Sequence, residues 1–291
     1  MNDETWTVSG PQVIDLEHVT SLDATLLGGR IDVVAHDDEL RTDARIEVHE
    51  VRGRELGVSY DGAALRMTHG PVVSGWKGFV ERFRSYAGRD AVEVHVAVPV
   101  GTRVTLRTVD GEGLVAGVRD GAAVATVSGS LVTSRTSGRL RIDTVSGDVS
   151  TSEHDGPLEM ESVSGSVTAT GALQDLALDS VSGSVTVDTR TTPRAVRVNA
   201  VSADVLVRLP DPDAMDYSLR CLSGRVVLDD VVQHVSFGSF TRPPRVGAGY
   251  PVHVSAVSGD VTVLRGAGVS DAPVDEPDEP ADRPVRTEVE G

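Results

Sequence analysis

The stretch Val145-Ser-Gly-Asp-Val-Ser-Thr-Ser-Glu-His-Asp-Gly-Pro-Leu-Glu-Met-Glu-Ser-Val-Ser-Gly165 carries one full period of the chain. It begins and ends on Val-Ser-Gly, with glycines 18 residues apart, and it contains a second turn, Asp155-Gly156, halfway. The same phrase places Gly129 one period earlier and Gly183 one period later. Val109-Asp110-Gly111 keeps the phase upstream. Downstream, Val201-Ser202-Ala203, Leu222-Ser223-Gly224 and Val257-Ser258-Gly259 follow at stretched spacings. The halfway series runs through Asp120-Gly121, Ser137-Gly138, Gln174-Asp175 and Thr192-Pro193. Fixed self-similarity of this length marks a stacked repeat architecture.

Between the turns, apolar residues alternate with polar ones. Val149, Leu158 with Met160, Val167, Leu176 with Leu178, Val185 with Val187, and Val196 with Val198 are separated by Ser, Thr, Asp, Glu or Arg. Period two means strands with one buried face. Nine residues hold a strand of about five and a turn of three or four. The expected fold is therefore an all-β solenoid with two short strands per coil of about 18 residues. A three-strand triangular coil needs a period of about 27 residues, which is absent. Glycine supplies the positive φ of a sharp corner, and serine bonds nearby backbone. Ser162, Ser180, Ala200, Cys221 and Ala256 precede the phrases in phase with the buried face, so Cys221 reads as a buried, inert thiol.

Residues 1–100 alternate without the 18-residue clock: Leu22/Ala24/Leu26, Ile31/Val33, Ile46/Val48, Leu65/Met67 and Val92/Val94/Val96/Val98. They are expected to form atypical first coils or a β cap over the open edge of the stack. The repeats then occupy 101–265. Residues 266–291 hold eight acidic and two basic side chains with four prolines, and are expected to form a disordered acidic tail. No linker separates cap from repeats, so one continuous β unit is expected over two domains.

Two insertions interrupt the pattern. In residues 74–87, Trp76, Phe79, Val80 and Phe83 fall at helical spacing beside Lys77, Arg82 and Arg84. Such a helix either plugs the end of the stack or docks on a partner or membrane surface. Residues 231–250 hold Phe237, Phe240, Arg242, Pro243, Pro244 and Tyr250, and read as an irregular loop. With aromatics at 3% of the chain, these two segments are its candidate docking sites.

The composition excludes several classes. A net charge of −17 offers no basic field for nucleic acid. One cysteine excludes disulfide frameworks and cysteine-rich zinc sites. No apolar window approaches a membrane span, and no secretory signal follows Met1, so a cytoplasmic protein is expected, with peripheral membrane attachment as the alternative. Gly111-Glu-Gly113-Leu-Val-Ala-Gly117 misses the dinucleotide fingerprint by one residue, and Gly57-Val-Ser59-Tyr-Asp61 lacks the second glycine of a nucleophile elbow. The eight histidines form no ligand spacing, and His49 and His95 are expected to be exposed. The row after the turn glycine (Glu112, Ser130, Asp148, Ser166, Ser184, Arg225, Asp260) mixes neutral and basic residues and makes no ligand ladder for a hard cation. No catalytic residue, metal or cofactor is assigned. A carbohydrate-cleaving solenoid would need paired carboxylates in a groove.

Val163-Ser-Gly-Ser-Val-Thr-Ala169, Val181-Ser-Gly-Ser-Val-Thr-Val187 and Ala256-Val-Ser-Gly-Asp-Val-Thr-Val263, with the lead-in Val94-His-Val-Ala-Val-Pro99, resemble a bacterial β-strand-repeat family that carries an adhesin label (a domain of unknown function, number 4097). The resemblance spans roughly residues 10–265. It implies a right-handed β-solenoid without catalytic or ligand residues. An adhesin must leave the cell, which conflicts with a start that lacks an export signal. The expected function is a non-enzymatic scaffold or interaction module for a protein partner. Alternatives are a peripheral membrane protein of an envelope-stress pathway, a self-assembling structural protein, and an enzyme built on a solenoid.

Overall fold

The computed structural model describes residues 4–70, 90–229, 231–233, 238–247 and 249–266. Apart from one helical turn at Pro212–Ala214, all regular structure among them is strand. The repeat coils are built from β8 (Arg103–Ala116), β9 (Ala122–Ser128), β10 (Ser130–Ser134), β11 (Leu140–Thr144), β12 (Asp148–Ser162), β13 (Ser166–Thr189) and β14 (Ala195–Leu209). They pair in parallel, and from β8 to β13 most residues lie opposite the one 18 positions on, as with Leu140 and Leu158, Val149 and Val167, and Leu158 and Leu176. The offset slips to 17 at residues 154–156 and becomes 20 between β13 and β14. Parallel pairing at the 18-residue offset is the stack of coils that the glycine spacing implied.

The pairing runs in two rows. In the first, Leu106, Val124, Ile142, Met160, Leu178 and Val198 follow one another. In the second, β8 pairs with β10 and β10 with β12. All the alternating apolar residues named above are buried, and one apolar cluster joins both rows. β8, β12, β13 and β14 each take part in both rows, so the strands run on around corners where short strands and turns were expected. β13 passes straight through Gln174 and Asp175, which the spacing had marked as a turn.

At the start, β3 (Ser21–Ala35) forms a coil beneath β8, with Leu22 opposite Val104 and Ile31 opposite Gly113. Beyond it one further strand in each row pairs in parallel, and the outer strands are antiparallel. One row ends in β6 (Ala64–Thr68), β5 (Leu56–Tyr60) and β1 (Glu4–Val8). The other ends in β7 (Ala91–Val98), β4 (Ala44–Arg52) and β2 (Gln12–Leu16).

The far end departs from chain order. β15 (Met215–Ser223) and β16 (Val226–Leu228) make the outermost coil. The later coil, β19 (Tyr250–Ser258) and β20 (Val261–Arg265), inserts between them and β14. The segment between them is not wholly irregular. β17 (Val231–Gln233) and β18 (Ser239–Arg242) add antiparallel strands to β16 and β15 and cover the last coil. Residues 71–89 and 267–291, hence the expected helix and the acidic tail, lie outside the described residues.

Candidate functional site

The Val-Ser-Gly corners stack into one edge of the molecule. Glycine is required there for two reasons. Gly129, Gly165 and Gly183 sit at φ of 120°, 121° and 109°, closed to ordinary side chains. Gly111 and Gly147 have no positive φ, yet a Cβ on Gly147 would overlap the carbonyl oxygen of Gly129. A Cβ on Gly165 would meet that of Gly147, and one on Gly183 that of Gly165, so the four glycines form a single column.

The serine joins neighbouring coils, where the sequence had suggested only a local bond. Ser146, Ser164 and Ser182 donate both their backbone N–H and their hydroxyl to the valine carbonyl one coil earlier, with hydroxyl distances of 3.0–3.1 Å. Ser128, Ser202 and Ser258 repeat the hydroxyl bond. The carbonyls of Val127, Val145 and Val163 thus each accept two hydrogen bonds, which uses both of their lone pairs. Beneath, the small residues point inward as expected, and Ser162, Ser180, Ala200, Ala256 and Cys221 are buried. Burial raises the Cys221 thiol above its ordinary pKa. In the row after the glycines, Asp148 accepts from the Ser166 N–H (2.8 Å) and Asp204 from the Asp260 N–H (2.9 Å). Asp260 accepts from the Arg225 N–H and pairs with its guanidinium (2.6 Å). These carboxylates bond to neighbouring coils. Among the described residues no three His, Cys, Asp or Glu side chains gather as metal ligands.

The valine of each phrase points outward. In stack order the row reads Val145, Val163, Val181, Val201, Val257, Leu222, the last two following the interleaved order of the coils. Val163, Val181, Val201 and Val257 are 46–49% exposed and Leu222 is 78% exposed, whereas Leu27 and Val109, earlier in the same row, are buried. Beside this apolar ladder runs an open trough of about 1260 Å³, its second wall formed by Glu161, Asp179, Asn199 and Arg220, with Gly238 and Ser239 at the Leu222 end.

The walls are electrostatically lopsided. At the Val145 end, Arg141 hydrogen-bonds to Asp143 (3.0 Å), Glu161 (2.7 Å) and Glu159, three carboxylates about one cation. Burial pushes the Asp143 carboxyl above its ordinary pKa, partly opposed by Arg141. Against its own desolvation, the hydrogen bonds to Asp143 and Glu161 raise the Arg141 guanidinium. Asp179 accepts from the Asn199 amide (2.7 Å). At the Leu222 end Arg220, Arg197 and His253 line a neighbouring hollow, and Arg220 makes no side-chain hydrogen bond or ion pair among the described residues.

This repeat architecture agrees with a family model, Toastrack (domain of unknown function 4097), that matches residues 29–264. The chain belongs to the Toastrack family. Solved structures similar to this Toastrack chain include a cell-adhesion candidate from Clostridium sporogenes (9% identity, TM-score 0.24, covering 88% of this chain and 99% of that one). An adhesin candidate from Bacteroides fragilis follows at 11% identity and TM-score 0.38, covering 90% and 97%. A lipid-binding candidate from Parabacteroides distasonis stands at 10% and 0.38, covering 89% and 95%. No curated protein matches the chain.

Of the residues singled out for docking, Trp76, Phe79, Val80, Phe83 and Phe237 lie outside the described residues of this Toastrack protein. Phe240 lies on β18 opposite Leu219, half-buried against the core cluster. His49 is exposed as expected, while His95 is half-buried. His69 and His154, which the sequence left unremarked, are buried. The ladder was missed because the phrase was read as turn chemistry. Its signal was present: each of these apolar residues stands out of phase with the inward alternation of its own strand.

Proposed function

We infer that this Toastrack protein is a non-enzymatic interaction scaffold whose working surface is the Val-Ser-Gly edge. The observation that carries the reading is the ladder itself. Apolar residues half exposed in one unbroken row are a contiguous patch, and such patches mark interaction sites, whereas isolated exposed side chains need no explanation. The edge suits this use because each ladder residue is carried on backbone held by the coil beside it, so little conformational entropy is lost when a partner binds. The trough supports binding over chemistry. Its carboxylates are engaged by Arg141 and Asn199, and among the described residues its wall holds neither a histidine nor a nucleophile–base pair.

Site-specific photocrosslinking tests the reading. A crosslinker at Val181 should yield a defined protein adduct, identified by mass spectrometry and lost in Val163→Asp. The same group at Thr168, exposed on the other row, should yield none. Equal labelling from both positions would refute the assignment of the edge.

A further inference from the structure

We propose that the partner of this edge is a second copy of the chain, docked ladder to ladder about a two-fold axis that passes between Val181 and Val201. The proposal rests on the reading of the edge as an interaction surface and adds the occupant. It follows from the distribution of charge along the trough. Flanking the ladder, the coils of Val145 and Val163 bring Asp143, Glu159 and Glu161 around the guanidinium of Arg141, with Arg139 at 3.8 Å from Glu159, and the coil of Val181 adds Asp179, bonded to the Asn199 amide. The coils of Val201, Val257 and Leu222 bring Arg197, His253 and Arg220 into a hollow that holds no carboxylate among the described residues, while Arg197 and His253 also line a second hollow with Glu159 and Asp175.

A strip that is acidic at one end and basic at the other repels a parallel copy and complements an antiparallel one. A two-fold interface sets the same patch against itself, so residue i meets j and j meets i. With the axis between Val181 and Val201, Val163 meets Val257 and Val145 meets Leu222. In the flanking rows, Arg220 then reaches the Asp143–Glu161 pair and His253 faces Glu159. Every charged contact occurs twice with opposite signs, while the apolar row is covered along its length.

The size of the strip sets the strength. Five steps of about 4.8 Å give a ladder roughly 24 Å long. With its flanking rows the strip is on the order of 500 Å² per copy, against about 800 Å² for a standard interface. The dimer is therefore reversible and concentration-dependent, and it weakens with salt through its charged rows without vanishing.

Sedimentation velocity of the full chain over a concentration series tests the proposal. The parent should pass from monomer to dimer. Val181→Asp with Val201→Asp should remain monomeric with an unchanged melting temperature, since both side chains are half exposed. Arg220→Glu alone and Glu161→Arg alone should each raise the dissociation constant at least about tenfold. The double variant Glu161→Arg, Arg220→Glu should regain the dimer, because the pairing is restored with reversed sign. A parent that stays monomeric throughout, a dimer indifferent to the ladder substitutions, or failure of the double variant to recover each overturns the proposal. If the parent is monomeric while the Val181 crosslinker still captures a distinct protein, the scaffold reading stands and self-association alone falls.

Discussion

The two edges where the strands turn are built differently. On the Val-Ser-Gly edge most phrases repeat the same parts: an inward small residue, an outward valine, a serine bonded to the previous coil and a glycine without room for a Cβ, with Ala203 standing in the glycine's place in one coil. On the opposite edge a second set of glycines, Gly121, Gly138 and Gly156, also lacks room for a Cβ, but the corner before it changes from coil to coil. Gly117 (φ 78°) is followed in the stack by Arg135 (51°) and Glu153 (54°), two ordinary residues in the left-handed region. Beside them the His154 ring bonds with the hydroxyl of Thr136, one coil earlier, at 3.0 Å. Where backbone from successive coils approaches most closely, glycine recurs and the sequence repeats. Where room is left, side chains from outside the repeat settle in. The regular edge thus carries the exposed apolar row, and the irregular one buries the Thr136–His154 pair beside the exposed Arg135 and Glu153.

That contrast breaks most visibly at a column glycine. Gly165→Val forces a branched side chain onto φ 121° and into the carbonyl of Gly147. The left-handed conformation alone costs about 1–2 kcal/mol. Displacing the stacked backbone raises the expected loss to about 3–5 kcal/mol, in the range reserved for severe lesions. Gly101→Ala, at a glycine with open space around it and no positive φ, should change stability by less than about 0.5 kcal/mol. Urea denaturation of the two variants checks both; similar midpoints would show that the column is not under steric control.

The opposite edge should reveal itself through pH. Burial lowers the pKa of His154 from its ordinary 6.5, its bonds to Pro157 and Thr136 opposing only in part, and burial lowers that of His69 likewise. Both rings are therefore neutral in the folded chain when the unfolded chain begins to take up protons. This contribution to stability is intact above pH 6.5 and is lost as pH falls below it. Asp143, with its pKa raised by burial, acts in the opposite sense, and only nearer the ordinary carboxylate value of 3.8. Melting temperatures should fall from pH 7 towards pH 5, and the slope should shrink in His154→Gln, at the cost of a lower melting temperature at pH 7. An unchanged slope would place the acid sensitivity elsewhere.

How much of this was legible in the sequence follows from the same contrast. The glycine column, the inward small residues and the buried alternation could be read because each imposes a residue type at a fixed interval. The insertion of Tyr250–Ser258 between β14 and β15 could not, because strands of alternating valine pair equally well with several neighbours. Here local pairing decides. β17 turns back on β16 and β18 on β15, which leaves only the inner side of that coil for the returning chain. The antiparallel strands of the N-terminal end were legible as strands but not in their order. Their apolar alternation fixes which face is buried and says nothing of direction. The ladder was legible in principle, since Val163 follows the inward Ser162 and breaks the alternation.

The smaller effects separate the two edges again. Ser164→Ala removes one inter-coil hydroxyl bond while the Ser164 N–H still serves the Val145 carbonyl, so a loss of about 1 kcal/mol is expected. Glu153→Gly should act with the other sign. Glu153 is an exposed residue held at φ 54°, a conformation that glycine adopts without the Cβ penalty. Against that gain stands the greater freedom of glycine in the unfolded chain, about 0.5–1 kcal/mol, so the net change is a stabilisation of less than about 1 kcal/mol. No such gain is open at Gly165, where glycine is already present and a Cβ would overlap the neighbouring backbone. Calorimetric melting of Glu153→Gly at pH 7 reads the difference directly. A lower melting temperature would mean that the far edge, too, is specified residue by residue, and that its irregularity is not spare room.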